Sequence, residues 1–263
     1  MGRLALRGAA LTYLGLLIAL PVGMVFYRAL EKGLGAAWES LTTPEALHAF
    51  WLTCVMVAVA VPLNTLFGVL CALVLVRQRF RGRAILNASI DLPFAVSPVV
   101  IGLALILVYG REGWLGGWLA DNGIQVIFSP VGMVLATIFV SLPFVVREVV
   151  PVLREIGTEQ EQAAETLGAS PFQTFWKITL PAIRWAVAYG VVLTTARAIG
   201  EFGAVSVVSG KIQGRTETLP LYVQAQFEQF DIQGAYAASV VLALIAIATV
   251  VALRVFHPRE ETS

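Results

Sequence analysis

An all-α polytopic membrane protein with six transmembrane helices is the fold that this sequence of 263 residues predicts. Three observations carry that expectation. Hydrophobic residues make up 58% of the chain and charged ones only 13%, with a mean hydropathy of +0.80, whereas a soluble domain carries about 25% charged residues. The apolar residues are gathered into uncharged runs that match the length of about 20 residues a helix needs to cross the hydrocarbon. Those runs are continuous and lack the alternation over about 10 residues that marks a barrel strand. The same composition excludes a disordered chain, which requires low hydrophobicity. A net charge of +1 leaves no basic footprint for nucleic acid.

The spans follow from the spacing of charges. Arg7 and Arg28 bracket the first, which resembles a signal peptide behind Arg3 and Arg7 but is longer than the 7–15 residues of a signal core and reads as an uncleaved anchor. The second covers Ala49 to Val76, the third Leu92 to Gly110, the fourth Asn122 to Val146 and the sixth Ile232 to Leu253. The fifth, Trp185 to Gly210, is apolar apart from Arg197 and Glu201. With the N-terminus inside, 12 Lys and Arg residues fall on inner segments against five on outer ones (Arg28, Lys32, Arg111, Lys211 and Arg215). The positive-inside bias therefore places both termini in the cytoplasm. Cys54 and Cys71 are too far apart along one helix to bridge and read as small buried apolar residues. His48 and His257 fall near opposite faces and make no metal cluster.

The segment 152–182, between spans four and five, is too polar to cross and carries helix signals. Thr158 with Glu161 reads as a capping box. That helix ends at Gly168, a natural stop. Ser170, Pro171 and Gln173 open a second helix, and Pro181 marks the passage into span five. Ala163, Ala164 and Leu167 form the apolar side of the first helix, and Phe172, Phe175 and Trp176 that of the second. These residues suit either a lid packed on its own membrane helices or a docking surface for another protein.

The residues Gln162-Ala-Ala-x-x-x-Gly168, followed by Ile178-x-Leu180-Pro181, resemble the EAA loop of permease subunits in bacterial ABC importers. Gln162 replaces the usual Glu, keeping its length and hydrogen bonding but losing the charge, and Glu161 and Glu165 flank it. Three further stretches resemble the W-type permeases of sulfate/thiosulfate importers: Asp91 to Val100, Ser141 to Glu148 and Arg197 to Gly210. The likeness covers about residues 47–255 and implies a permease core there, with an outer loop over 211–231; the charge spacing leaves an N-terminal anchor and outer loop over 1–46 and a cytoplasmic tail over 256–263. The likeness also implies coupling to the ATPase through Glu161, Gln162, Ala163, Ala164, Gly168, Ile178, Leu180 and Pro181. The implied partners are a homologous T-type permease, two copies of a cytoplasmic ATPase, a periplasmic or extracellular sulfate/thiosulfate-binding protein, and membrane lipid of the bacterial inner membrane. A molybdate or tungstate permease shares the Gly200-Glu-Phe-Gly203 core and is the alternative.

Ionisable residues within spans are functional candidates by default. Arg197 and Glu201 are spaced to share one helix face; they form either a self-satisfied pair or a group that draws an oxyanion into the pathway. Asp91 sits just inside the cytoplasmic edge, paired with Arg147 or another inner-face cation, or serving a cytoplasmic gate. Pro93 and Pro98 bracket Ser97 and predict a broken third span, which either kinks for packing or lines a path. Ser206 and Ser209 complete the pathway candidates. There is no Gly-x-Ser-x-Gly elbow, metal cluster or paired histidine to suggest an integral-membrane enzyme, and no catalytic residue is assigned. Gly210-Lys211 lacks the upstream glycine of a phosphate loop, so ATP and Mg would be used by the partner ATPase and no cofactor bound here. A self-contained secondary transporter would show an inverted repeat; the Leu-Pro-Phe elements at Leu92 and Leu142 do not supply one.

Overall fold

The computed structural model describes residues 2–256. Helix α1 (Gly2–Leu14) runs through a π-helical turn at Gly15–Ala19 into α2 (Leu20–Leu30), followed by α3 (Leu34–Leu41), α4 (Pro44–Arg77), α5 (Arg83–Ala95) and α6 (Pro98–Tyr109). Next come α7 (Gly116–Asp121), α8 (Pro130–Glu155), α9 (Glu159–Thr166) and α10 (Pro171–Thr174). A second π-turn at Phe175–Thr179 leads into α11 (Leu180–Ile199), and α12 (Gly203–Val208), α13 (Leu219–Glu228) and α14 (Ile232–Phe256) complete the chain. Five stretches are long and apolar enough to cross a membrane: Leu6–Leu30, Pro44–Arg77, Pro130–Glu155, Pro171–Ile199 and Ile232–Thr249. Helices α5 and α6 meet that test only together, bent by 115°. The chain is thus an all-α polytopic protein with five to six spans. The expected tail lies, from His257 onward, outside the described residues.

Local chemistry sets the ends of these helices. Thr43 Oγ1 accepts the Ala46 N–H (3.2 Å) and Pro44 takes the first position of α4, a cap that satisfies an orphan donor. Val96 and Ser97 are extended, as a residue before proline prefers, and the third span breaks there as expected. Two spans differ in their bounds from the expectation. Helix α8 starts at Pro130 rather than Asn122, because Pro is suited to a first helical turn, and continues past Arg147 and Glu148 to Glu155. The helix expected as span five covers Pro171–Ile199 and ends at Gly200, short of the expected Gly210.

The described residues form two compact units, 54–211 with 248–256 and 2–53 with 212–247. In the first, Val69, Leu75, Val145, Val149, Leu153 and Ile183 anchor the core. Val145 of α8 lies between two glycines: a Cβ on Gly68 of α4 would come within 2.6 Å of its Cβ, and one on Gly190 of α11 within 2.9 Å of its Cα. Small residues at such crossings let membrane helices approach through their backbones. Buried Asn64 donates to Ser141 Oγ (2.8 Å) and to the Ile138 carbonyl (3.2 Å), a polar link between α4 and α8. Cys54 and Cys71 are free, and Cys54 is exposed rather than buried. An apolar residue on a span can face lipid, so hydrophobicity there does not predict burial.

In the second unit, Ala46 and Ala49 pack with Leu219, Tyr222 and Ala238. Much of the expected polar loop 211–231 is therefore structural. Thr218 is extended, Pro220 sits in the first turn of α13, Glu217 is only 3% exposed, and the Leu219 N–H donates to Thr53 Oγ1 (2.9 Å).

Candidate functional site

The segment after α8 is built on a left-handed turn at Gly157 (φ 63°). Helix α9 follows, but the expected capping box is not made. Gln162 Nε2 donates to Thr158 Oγ1 (3.1 Å), while Glu161 turns to Arg77 at the end of α4 (2.9 Å) and accepts the Thr179 hydroxyl (2.8 Å). A guanidinium outcompetes a neutral backbone N–H for a carboxylate, because charge-assisted bonds are about twice as strong. The end of α9 matches the expectation. Gly168 (φ 85°) donates to the Glu165 carbonyl and Ala169 to that of Ala164, each at 3.0 Å. This is the paired bonding of a Schellman motif. Ser170 and Gln173 then form a reciprocal capping box (3.3 and 3.0 Å) ahead of Pro171.

Pro181 does not mark a separate element. The π-turn widens the helix immediately before it, so the missing proline N–H interrupts nothing and Pro171–Ile199 runs on as one stretch. The segment is therefore one separate short helix, α9, joined at Gly168 to the first turns of a long helix. Ala164, Phe175, Ile178 and Leu180 are buried or half-buried, whereas Gln162, Ala163 and Pro181 are exposed. Leu167 is 88% exposed, Phe172 72% and Trp176 53%, with the Phe172 and Trp176 rings 6.0 Å apart. These three large side chains are not packed back as a lid would pack them.

In the membrane region, Arg147 Nε donates to Asp91 Oδ1 (2.7 Å) and its Nη2 pairs with Oδ2, a two-pronged bridge from α8 to α5. Arg197 and Glu201 pair at 2.6 Å as expected, but not along one helix. The helix ends at Ile199, and Glu201 lies beyond that end, its side chain 1% exposed. Its second oxygen accepts the Ala204 N–H (2.8 Å) and so caps α12. Helix α12 packs on α6 so closely that a Cβ on Gly203 would lie 2.8 Å from Pro98 Cβ. The break at Ser97–Pro98 and the one at Gly200–Phe202 thus adjoin. Ser206 Oγ donates to the Gly203 carbonyl (2.8 Å) and buried Ser209 Oγ accepts the Lys211 N–H (3.1 Å). Among the described residues no group of three His, Cys, Asp or Glu side chains could hold a metal ion. Sequence reasoning missed Arg77 and Thr179. Nothing in their local sequence announces partners that lie 84 and 18 residues away.

Residues 64–262 match the family described as binding-protein-dependent transport system inner membrane component. The chain belongs to that family. It is 52% identical over 250 residues (95% of this chain, 91% of the relative) to the sulfate transport system permease protein CysW of Synechocystis sp.. Against the protein of that name in Escherichia coli K12 it is 48% identical over 248 residues, 94% of this chain and 85% of the relative. The CysT permease protein of the same bacterium is 40% identical over 237 residues, covering 90% and 86%. The fold matches a crystal structure of a bacterial ABC transporter involved in import of the acidic polysaccharide alginate. Its TM-score is 0.79 at 15% identity, over 98% of this chain and 95% of that one.

Proposed function

We propose that this chain is the transmembrane permease subunit of an ATP-driven sulfate/thiosulfate importer. The observation that carries this reading is the 52% identity to a CysW permease along 95% of the chain. The chain is a translocation subunit and leaves ATP hydrolysis to a partner. It sits in the bacterial inner membrane with both termini cytoplasmic, by the positive-inside bias. It pairs with a T-type permease, two ATPase copies and an extracytoplasmic binding protein.

In this reading α9 and the start of the following helix form the coupling element, with Gln162, Ala163 and Gly168 at its surface. Exposed Leu167, Phe172 and Trp176 supply the apolar anchors that an ATPase groove would cover. ATP binding closes the two ATPases, and the element carries that motion to the bent α5–α6 pair, α8 and α11. The anion passes between the two permeases. Arg197, 30% exposed beside a buried Glu201, is placed to attract it. Glu201 holds the guanidinium and caps α12, and Asp91 with Arg147 closes the path towards the cytoplasm. Uptake of radiolabelled sulfate by cells with and without this chain tests the proposal. Deletion should abolish uptake, and unlabelled molybdate should not compete. Loss of molybdate uptake with sulfate uptake intact would overturn it.

A further inference from the structure

We infer that Arg77 is the positioning residue that ties α9 to the membrane helices and delivers its movement to α4 and α8. This rests on the reading of α9 as the ATPase-docking element. Arg77 is the last residue of α4, and its guanidinium contacts three further segments directly and a fourth through Glu161. Its Nη1 donates to the Leu153 carbonyl at the end of α8 (2.9 Å) and its Nη2 to the Gly157 carbonyl in the turn (2.7 Å). Nη2 also reaches Glu161 Oε1 of α9 (3.2 Å), while Nε lies 2.9 Å from Oε2 as an ion-pair contact off the hydrogen-bond axis. Glu161 Oε1 in turn accepts the Thr179 hydroxyl from the π-turn (2.8 Å).

Two features make this node a linkage and not ordinary surface pairing. The Arg77 and Glu161 side chains are only 17% and 18% exposed, so water screens them little. Helix α9 carries a single buried residue, Ala164, among its described positions; little apolar packing holds it to the rest of the unit. A push on α9 is therefore borne by the carboxylate of Glu161. The planar fork of an arginine reaches two carbonyls and the carboxylate from separate nitrogens in a fixed geometry, which the single ammonium nitrogen of a lysine cannot reproduce.

The test uses the complete importer in proteoliposomes, carrying Arg77→Lys, Glu161→Gln or the milder Thr179→Val in this chain. The quantities measured are co-purification of the ATPase and sulfate imported per ATP hydrolysed. Arg77→Lys should lower sulfate per ATP about tenfold, within the range by which linkage residues alter coupling, and Thr179→Val should lower it less. A merely structural role would reduce transport and hydrolysis together, in proportion to assembled complex, and leave the ratio at the wild-type value. That result overturns the inference, and if Arg77→Lys fails to assemble, the ratio in Thr179→Val decides by itself. Cross-linking of a Leu167→Cys chain to the ATPase separates the two levels. No cross-link refutes α9 as the docking element, whereas a cross-link with an unchanged ratio refutes Arg77 alone.

Discussion

Replacing Gly168 perturbs the proposed coupling element without touching any packed atom. An added Cβ there meets nothing within 4 Å, so the cost is conformational alone. Gly168 has φ 85°, in the left-handed region that costs an L-residue about 1–2 kcal/mol. Gly168→Ala should therefore depopulate the observed joint about 5- to 30-fold. Proline goes further. Its ring holds φ near about −65°, it deletes the bond from the Gly168 N–H to the Glu165 carbonyl (3.0 Å), and it disfavours the near-helical conformation of Leu167. A cost of about 3 kcal/mol or more corresponds to a shift above about 100-fold. The assay is sulfate-stimulated ATPase activity of the assembled importer in proteoliposomes, normalised to folded complex. Stimulation should fall several-fold in Gly168→Ala and be lost in Gly168→Pro. Wild-type stimulation in both would refute the reasoning, since the joint would then play no part in transmission.

Three further outcomes are expected. Trp176→Ala, which removes an exposed aromatic anchor, should weaken capture of the ATPase about 30-fold, the effect of losing a hot spot of about 2 kcal/mol, as measured by titrating purified ATPase onto the permease. Gly190→Ala puts a methyl group 2.9 Å from the Val145 Cα and should cost about 1–3 kcal/mol, seen as a lower melting temperature. Gly23→Ala, where nothing lies within 4 Å, should not lower it. Burial, reinforced by Glu45 and opposed by His48, pushes the Glu217 carboxyl above its ordinary value of 4.5. A raised acid binds more protons folded than unfolded, so its contribution is complete below that value and is lost as pH rises through the folded value. Glu217→Gln should remove that decline from the pH profile of thermal stability; an unchanged profile would contradict the assignment.

The spans were legible because hydrocarbon demands a continuous apolar run, and charge spacing records its limits. The third span's break was legible in Pro93 and Pro98, and the stop of α9 in Gly168. Long-range polar choices were not. Thr158 and Glu161 have the spacing of a capping box, yet Glu161 is drawn to a guanidinium 84 residues away, which no local pattern encodes. Arg197 and Glu201 have helical spacing and do pair, but Gly200 and the tight packing of Gly203 on Pro98 end the helix between them. The polar loop 211–231 concealed a partly buried helix, α13, and the polar Thr216, Glu217 and Thr218 just before it are buried as well, which polarity alone does not announce.

The central claim is that this chain converts a partner's ATP cycle into sulfate import. ATP-dependent accumulation of radiolabelled sulfate in proteoliposomes tests it most directly, with the importer purified with and without this chain and the sulfate-loaded binding protein supplied on the outside. Accumulation that requires the chain and ATP together, and is insensitive to equimolar molybdate, is the predicted result. Sulfate accumulation that persists without the chain, or a complex that accumulates molybdate and not sulfate, would contradict the account.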